Sequence, residues 1–122
     1  MVRYLDTGVL LAYLQREGFH VKDVGLLDAA VKRPSAAVFG TAAYPTLELK
    51  AAAQTQSIIK NHPMVDGNKR ASWFALNAFL ALNYHLLEAG QNDAFEFLVG
   101  LATDEIALEE AANWIRNRLV PL

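Results

Sequence analysis

Cysteine is absent from this chain of 122 residues, so its fold has no disulfide framework and a reducing compartment suits it. Basic side chains form no cluster and the formal net charge is −2, which argues against nucleic-acid binding as the main task. No apolar run reaches the roughly 20 residues of a membrane span. The opening MVRYLDT carries charges too early for a secretory signal. We therefore expect a soluble, cytoplasmic protein that binds neither DNA nor a membrane.

Strand signals are nearly absent as well, and no internal repeat, linker or low-complexity tract interrupts the chain. The hydrophobic fraction of 53% is enough to bury a real core. We predict a single all-α domain over residues 1–122, built as a bundle of about six helices around a buried central helix.

Capping residues mark where most of these helices begin. Asp6, Asp23 and Thr46 each precede a segment whose apolar residues recur at helical spacing. Thr103-Asp104 are predicted to cap the last helix in the same way.

Two other segments give weaker signals. Residues 34–45 contain small residues without periodicity, which predicts an irregular connection. Residues 91–102 predict a helix with four apolar side chains turned inward: Phe95, Leu98, Val99 and Ala102.

The stretch from Asn61 to Leu82, NHPMVDGNKRASWFALNAFLAL, is the centre of the predicted fold. Its second part is apolar on every side of a helix, and such a helix has to be enclosed by others. The side chains that produce this pattern are Trp73, Phe74, Leu76, Phe79, Leu80 and Leu82. Asn83 is predicted to end the helix as a left-handed C-cap. The first ten residues are polar, and a buried helix with a polar front end indicates a site.

This front end predicts an anion site. Asp66 is a suitable N-cap residue, and Gly67 has no side chain to keep an anion from the amides of the first turn. Those amides lack internal partners, and the helix dipole adds about half a positive charge there. Lys69 and Arg70 add two cationic side chains, and the planar guanidinium suits phosphate oxygens. Together they predict a cradle for nucleotide phosphates.

Other groups complete the predicted chemistry. Asp66 cannot favour a bare phosphate, so a magnesium ion between the two is the natural resolution, because magnesium takes one or two carboxylates plus substrate phosphates. His62 lies just before the loop, where its imidazole could take a proton from an attacking hydroxyl. Lys60 could reach the same anion as Arg70, although a solvated lysine favoured by the helix dipole is the plainer interpretation.

Each of these residues also has a purely structural alternative. His62 could satisfy a loop carbonyl, Asp66 could be only a cap, and Lys69 and Arg70 could pair with carboxylates. Their joint spacing at a helix start favours a site.

The nine residues HPMVDGNKR resemble the signature of the Fic/Doc family, and its Doc branch in particular. The family pattern has His, any residue, an apolar residue, any residue, Asp or Glu, Gly or Ala, Asn, Gly or Lys, and Arg. Lys69 stands where the Fic branch has glycine, and Met64, where Phe is common, is expected to pack in the core. The segments VGLLDAAVKRP and AYPTLELKAAA are similar to upstream stretches of Doc-like chains, so the resemblance covers approximately residues 22–84.

The resemblance implies a role for each matching residue. His62 would be the general base, and Asp66 would hold Mg²⁺. Gly67–Asn68 would cradle phosphate, which Arg70 would bind and neutralise. In the Doc branch, a lysine at the position of Lys69 accompanies a nucleotide orientation reversed from that in Fic proteins. The reversal places the γ-phosphate of ATP, not the α-phosphate, beside the attacking hydroxyl. The implied activity is that of a kinase acting on translation elongation factor Tu.

A partner is implied too. Doc-like toxins are held inactive by a Phd-type antitoxin, whose C-terminal segment folds along a groove on the toxin. Residues 34–45 would form a flap over the site, although Val38, Phe39 and Tyr44 could equally anchor this loop to the core. Two other functions stay open. One is Fic-type AMP transfer, which prefers a small residue at the position of Lys69, and the other is a non-enzymatic partner-binding module.

Overall fold

The computed structural model describes residues 1–122. Its six α-helices are α1 (Thr7–Arg16), α2 (Val24–Lys32), α3 (Leu47–Asn61), α4 (Asn68–Leu82), α5 (Gln91–Ala102) and α6 (Leu108–Arg116). A short 3-10 turn at Arg33–Ser35 follows α2. Two antiparallel strand pairs complete the chain: β1 (Ala37–Val38) with β2 (Thr41–Ala42), and β3 (His85–Leu87) with β4 (Leu119–Pro121). The predicted all-α bundle is confirmed, since strands occupy only these short segments.

The three predicted caps of the first helices are confirmed. Asp6 accepts a hydrogen bond from the Val9 amide at 2.9 Å, and Asp23 accepts one from the Leu26 amide at 3.0 Å. Thr46 caps α3 through the Leu49 amide at 3.2 Å. Each cap satisfies one of the amides that a helix start leaves without a partner.

The central helix is α3, not α4 as the apolar pattern predicted. Nine of the 15 residues of α3 are buried, against six of 15 in α4. Helix α3 packs against α2, α4, α5, α6 and the 3-10 turn. Its small side chains Ala51, Ala52 and Ala53 let these neighbours approach closely. Trp73 and Phe74 of α4 instead keep part of their surface exposed, so the bulk of a side chain was a poor guide to its burial.

The α5 prediction has the right bounds but the wrong face. Ala94, Phe97, Leu98 and Leu101 are buried, whereas Phe95 is 62% exposed. The true inner face is rotated by one residue from the predicted one. Phe97 instead stacks on Trp114, with ring centroids 3.9 Å apart and planes 9° from parallel.

The predicted start of the last helix is also wrong, because Thr103 and Asp104 end α5. Thr103 Oγ1 donates back to the Val99 carbonyl at 3.0 Å, and Asp104 has a left-handed backbone with φ of 63°. Helix α6 begins only after Ala107, whose amide donates to the Glu110 carboxylate at 3.2 Å.

The segment predicted as irregular contains the β1–β2 hairpin, which Phe39 and Gly40 turn at positive φ. Val38 and Phe39 are 60% and 103% exposed, so neither anchors the segment to the core. Tyr44 does anchor it, because its hydroxyl accepts a hydrogen bond from Arg33 Nε at 2.8 Å. Arg33 Nη1 in turn donates to the Ala53 carbonyl of α3 at 3.0 Å.

Helix α4 ends at Asn83 as predicted, but the left-handed residue is the next one, Tyr84, with φ of 65°. The chain then enters β3, which pairs with β4 from the far end of the sequence. None of the helices combines the length and the hydropathy that a bilayer crossing requires.

Candidate active site

The nine-residue motif forms the turn between α3 and α4. His62 ends α3 in a left-handed conformation, with φ of 52° and ψ of 56°, as expected for a residue that cannot continue the helix before Pro63. Pro63 and Met64 are buried, which confirms the expected packing of Met64. His62, Val65 and Asp66 are exposed. The turn therefore presents His62 and Asp66 to solvent, while Pro63 and Met64 fix it to the core.

The segment after α1 supports this turn from the side. Val21 forms an isolated antiparallel bridge with Met64. The Lys22 amide donates to the Pro63 carbonyl at 2.9 Å, and the Val65 amide donates to the His20 carbonyl at 2.8 Å. These backbone hydrogen bonds fix the motif turn to the segment after α1.

The side chain of Asn68 closes the turn internally. Its Oδ1 accepts from the Met64 amide at 2.9 Å, and its Nδ2 donates to the Met64 carbonyl at 3.3 Å. Both polar atoms of this carboxamide thus contact loop backbone. Asn68 shapes the site, and its predicted contact with phosphate stays a prediction.

The N-cap of α4 is Gly67 with φ of 76°, not Asp66 as predicted. Asp66 Oδ1 accepts from the adjacent Gly67 amide at 2.8 Å and reaches no amide within α4. Because no side chain caps α4, the first-turn amides of Asn68, Lys69 and Arg70 donate to no backbone carbonyl and no side chain of the protein. They lie at the positive end of the helix dipole.

The ionisable side chains of the motif take part in none of the ion pairs of the protein. The four salt bridges involve other residues, so His62, Asp66, Lys69 and Arg70 have no charged partner. The alternative in which Lys69 and Arg70 pair with carboxylates is therefore wrong for this structure. The guanidinium of Arg70 lies over the ring of Phe19, 5.3 Å from its centroid, in a geometry that favours a cation.

These residues converge on one cleft of about 270 Å³, which we call the motif cleft. It is lined by Ile59, His62, Val65, Asp66, Gly67, Asn68, Lys69, Arg70 and Ala102. All the predicted site residues line it except Lys60. Lys60 instead pairs with Asp104, with Nζ and Oδ2 2.7 Å apart. This ion pair matches neither interpretation of Lys60, and its contact with an anion stays a prediction.

The residues of the cleft fit a magnesium ion of the kind that binds with a nucleotide. Asp66 offers one exposed carboxylate, whose Oδ2 makes no hydrogen bond. Nowhere do three or more His, Cys, Asp or Glu side chains gather into a metal cluster. Such an ion would therefore take most of its ligands from phosphate and water, which is the usual coordination of magnesium with nucleotides.

Sequence reasoning missed the contribution of residues 19–23. Phe19 under Arg70 and the backbone bonds of His20 and Lys22 are long-range contacts, which a local sequence pattern does not specify. The only local signal was the apolar pair Phe19 and Val21 around His20.

Residues 3–80 match the model of the Fic/DOC family, which is more than half of the chain. The chain belongs to this family. A stretch of 63 residues is 59% identical to the protein named Toxin Doc from Mycolicibacterium smegmatis (strain ATCC 700084 / mc(2)155). The match covers 52% of this Fic/DOC chain and 48% of that relative, so the chain spans about half the length of the curated relative it matches. The family model shows the Fic/DOC family, and the similarity to Toxin Doc confirms the Doc branch that Lys69 indicated.

Proposed function

We propose that this Fic/DOC protein is the toxin of a toxin–antitoxin pair and acts as an ATP-dependent protein kinase. It would phosphorylate a hydroxyl of a translation factor, elongation factor Tu by family resemblance, and so arrest translation in the cytoplasm. The observation that carries the proposal is the convergence of His62, Asp66, Lys69 and Arg70 on one cleft, without charged partners, beside three free helix amides.

The electrostatics of the motif cleft suit a polyphosphate. Two cationic side chains, Lys69 and Arg70, and the positive end of α4 line the cleft together. The ring of Phe19 packs against the guanidinium of Arg70. This contact leaves the N–H groups of Arg70 available to donate to phosphate oxygens. Preorganised donors of this kind stabilise the charge that develops on a phosphoryl group in the transition state.

The proposed reaction uses His62 as the base. Its imidazole takes the proton of the acceptor hydroxyl, and the acceptor oxygen forms a bond to the γ-phosphorus. The bond between the γ-phosphorus and its bridging oxygen breaks, and ADP leaves with the electron pair. Arg70 and the first-turn amides of α4 hold the charged oxygens in place. Asp66 would hold a magnesium ion together with the phosphates, and the ion would supply further charge neutralisation.

The proposed partner is a Phd-type antitoxin whose C-terminal segment binds a groove on this protein. An exposed apolar face of α1 and α4 supports this part of the proposal. Val9 is 56% exposed and Tyr13 is 49% exposed, and the ring of Tyr13 lies 6.2 Å from that of Phe74. An amphipathic segment would cover such a face.

The test uses ATP labelled at either the γ- or the α-phosphate, with elongation factor Tu and with whole lysate as acceptors. We expect protein-bound label only from the γ position, and His62→Ala should abolish it. His85→Ala is the matched control, because His85 bonds the Asn83 carbonyl at 2.8 Å and lies outside the motif cleft.

Label arriving from the α position would instead establish AMP transfer. Loss of activity in both histidine variants would show a folding defect and would remove the evidence for a base. Absence of any label with correctly folded protein would favour a module that only binds its partner.

A further inference from the structure

The side chain of Gln54 forms the only side-chain hydrogen bond between α3 and α4. It is fully buried, and its Nε2 donates to the Ala75 carbonyl at 3.2 Å. Its Oε1 accepts no hydrogen bond from any group of the protein. Because a carbonyl oxygen can only accept, the bond to Ala75 requires the orientation of the carboxamide that leaves Oε1 unpaired.

Apolar side chains otherwise dominate the packing of α3 against α4. One core cluster joins Ile58 to Ala71 and Ala75, and another joins Ile59 to Leu76. A buried oxygen without a partner lowers stability, and an apolar side chain of similar size would avoid that loss. The presence of Gln54 therefore needs an explanation other than stability. A single buried polar residue between packed helices can specify their register at a cost in stability.

The register of α3 against α4 decides the geometry of the motif cleft. His62 is the C-cap of α3, whereas Lys69, Arg70 and the first-turn amides belong to α4. A shift of α3 along α4 would therefore change the distance from the imidazole to a bound phosphate while the phosphate contacts of α4 stay intact. The Asn68 side chain does not link the two helices, because it bonds to Met64 in the turn.

We propose that Gln54 is a positioning residue that sets the register of α3 against α4. It thereby holds the His62 imidazole at the distance from the phosphate that transfer needs. This inference rests on the proposed function and adds to it a residue that lies outside the motif cleft. The bond to the Ala75 carbonyl is the contact through which Gln54 acts.

Gln54→Met tests this role, because methionine is unbranched, adapts to the space in a core and cannot donate to Ala75. We expect kcat for phosphate transfer to fall by roughly 10- to 100-fold, since a misplacement of about 1 Å has effects of that order. The affinity for ATP in calorimetry should stay unchanged, because the anion-binding groups all belong to α4. The urea midpoint of unfolding should be equal or higher, because the unpaired oxygen is removed.

Thr55→Val is the matched control. Thr55 is fully buried on the same helix, but its hydroxyl donates to the Ala51 carbonyl within α3 at 2.9 Å. Its replacement removes a buried hydrogen bond without touching the link between the helices. It should therefore lower the urea midpoint and leave kcat unchanged.

A distance measurement follows the register without any ligand. The chain has no native cysteine, so spin labels can be attached at Lys60→Cys and Ala81→Cys, one exposed position on each helix. We expect a single narrow distance distribution in the otherwise native protein and in Thr55→Val, and a shifted or broadened one in Gln54→Met. A slide by a full helical turn would amount to about 5.4 Å.

The outcomes separate this inference from the proposed function. An unchanged distance distribution or an unchanged kcat in Gln54→Met would overturn the positioning role, and a lower urea midpoint would show that Gln54 serves stability instead. If the native protein transfers no phosphate from ATP, the proposed function fails, and the distance distribution still decides whether Gln54 sets the register.

Discussion

The carboxamide of Asn68 makes two hydrogen bonds with the backbone of Met64, at 2.9 Å to its amide and at 3.3 Å to its carbonyl. This clasp sets the distance between the end of α3, where His62 lies, and the start of α4, where Arg70 lies. We predict that Asn68→Ala lowers the rate of phosphate transfer by about 100-fold, since small misplacements of reacting groups have effects of that order. Hydrogen exchange should show a less protected Met64 amide.

Asn77→Ala is the control for this clasp. Asn77 Nδ2 donates only to the Trp73 carbonyl within α4, at 2.9 Å, so its loss should leave activity and the Met64 amide unchanged. Unaltered protection of Met64 in Asn68→Ala would contradict the role we give to the clasp.

Much of the site was predictable because it is local. Nine consecutive residues supply every predicted member of the cleft, and the fixed geometry of a helix start brings them together. Lys60 lies just outside that segment, and its direction was decided by Asp104, a residue 44 positions away. The support of Arg70 by Phe19 was not predictable for the same reason.

The parts of the fold that were predicted correctly also depend on local signals, and the parts that were missed depend on long-range contacts. Capped helices with clear periodicity were predicted to within a few residues, since their signals lie inside each segment. The β3–β4 pair was missed because it joins His85 to Pro121, and strands of three residues carry no alternation to detect. Asp104 misled the prediction of α6, because a residue that suits a cap also tolerates the left-handed conformation that ends α5.

Gly67 is the second residue on which the site geometry depends. Its φ is 76°, and a Cβ there would lie 2.6 Å from Arg70 Nη2 and 3.0 Å from Phe19 Cε1. Gly67→Ala should therefore both strain the backbone and displace the guanidinium. We expect a loss of stability of about 1–2 kcal/mol and a clear loss of ATP affinity in calorimetry.

Gly40→Ala separates these two effects. Gly40 has a similar φ of 79°, but a Cβ there meets no atom within 4 Å. It should reduce stability to a similar extent without changing ATP affinity. Equal ATP affinities in the two variants would show that the space Gly67 leaves for the Arg70 guanidinium is unimportant for nucleotide binding.

Asp28 links α1 to α2 and makes their packing sensitive to acid. The Thr7 hydroxyl donates to its Oδ1 at 2.7 Å, and Lys32 Nζ lies 3.1 Å from its Oδ2. These contacts, the Thr7 bond first, lower the pKa of the Asp28 carboxyl below its ordinary value of 3.8. A lowered folded-state pKa gives stability that is present above the unfolded-state pKa and lost as the pH falls through the folded-state value.

We therefore predict that Asp28→Asn is less stable than the native protein near neutral pH and that the difference shrinks in acid. Urea denaturation at a series of pH values measures it. Thr7→Val should reproduce part of the effect, because it removes the hydroxyl and leaves the Asp6 cap in place. A difference that stays constant down to the lowest pH would rule out this linkage.

A comparison of variants at Asp66 and Asp23 tests whether the Asp66 carboxylate contributes to ligand binding or to helix stability. Asp23 caps α2 through the Leu26 amide, so Asp23→Ala should lose about 1 kcal/mol of stability and keep nucleotide binding. Asp66 contacts only the neighbouring Gly67 amide and caps nothing, so Asp66→Ala should leave the unfolding midpoint nearly unchanged. It should instead lose the part of ATP affinity that depends on added magnesium. A structural role would appear as the reverse pattern, because a capping carboxylate affects stability at any magnesium concentration.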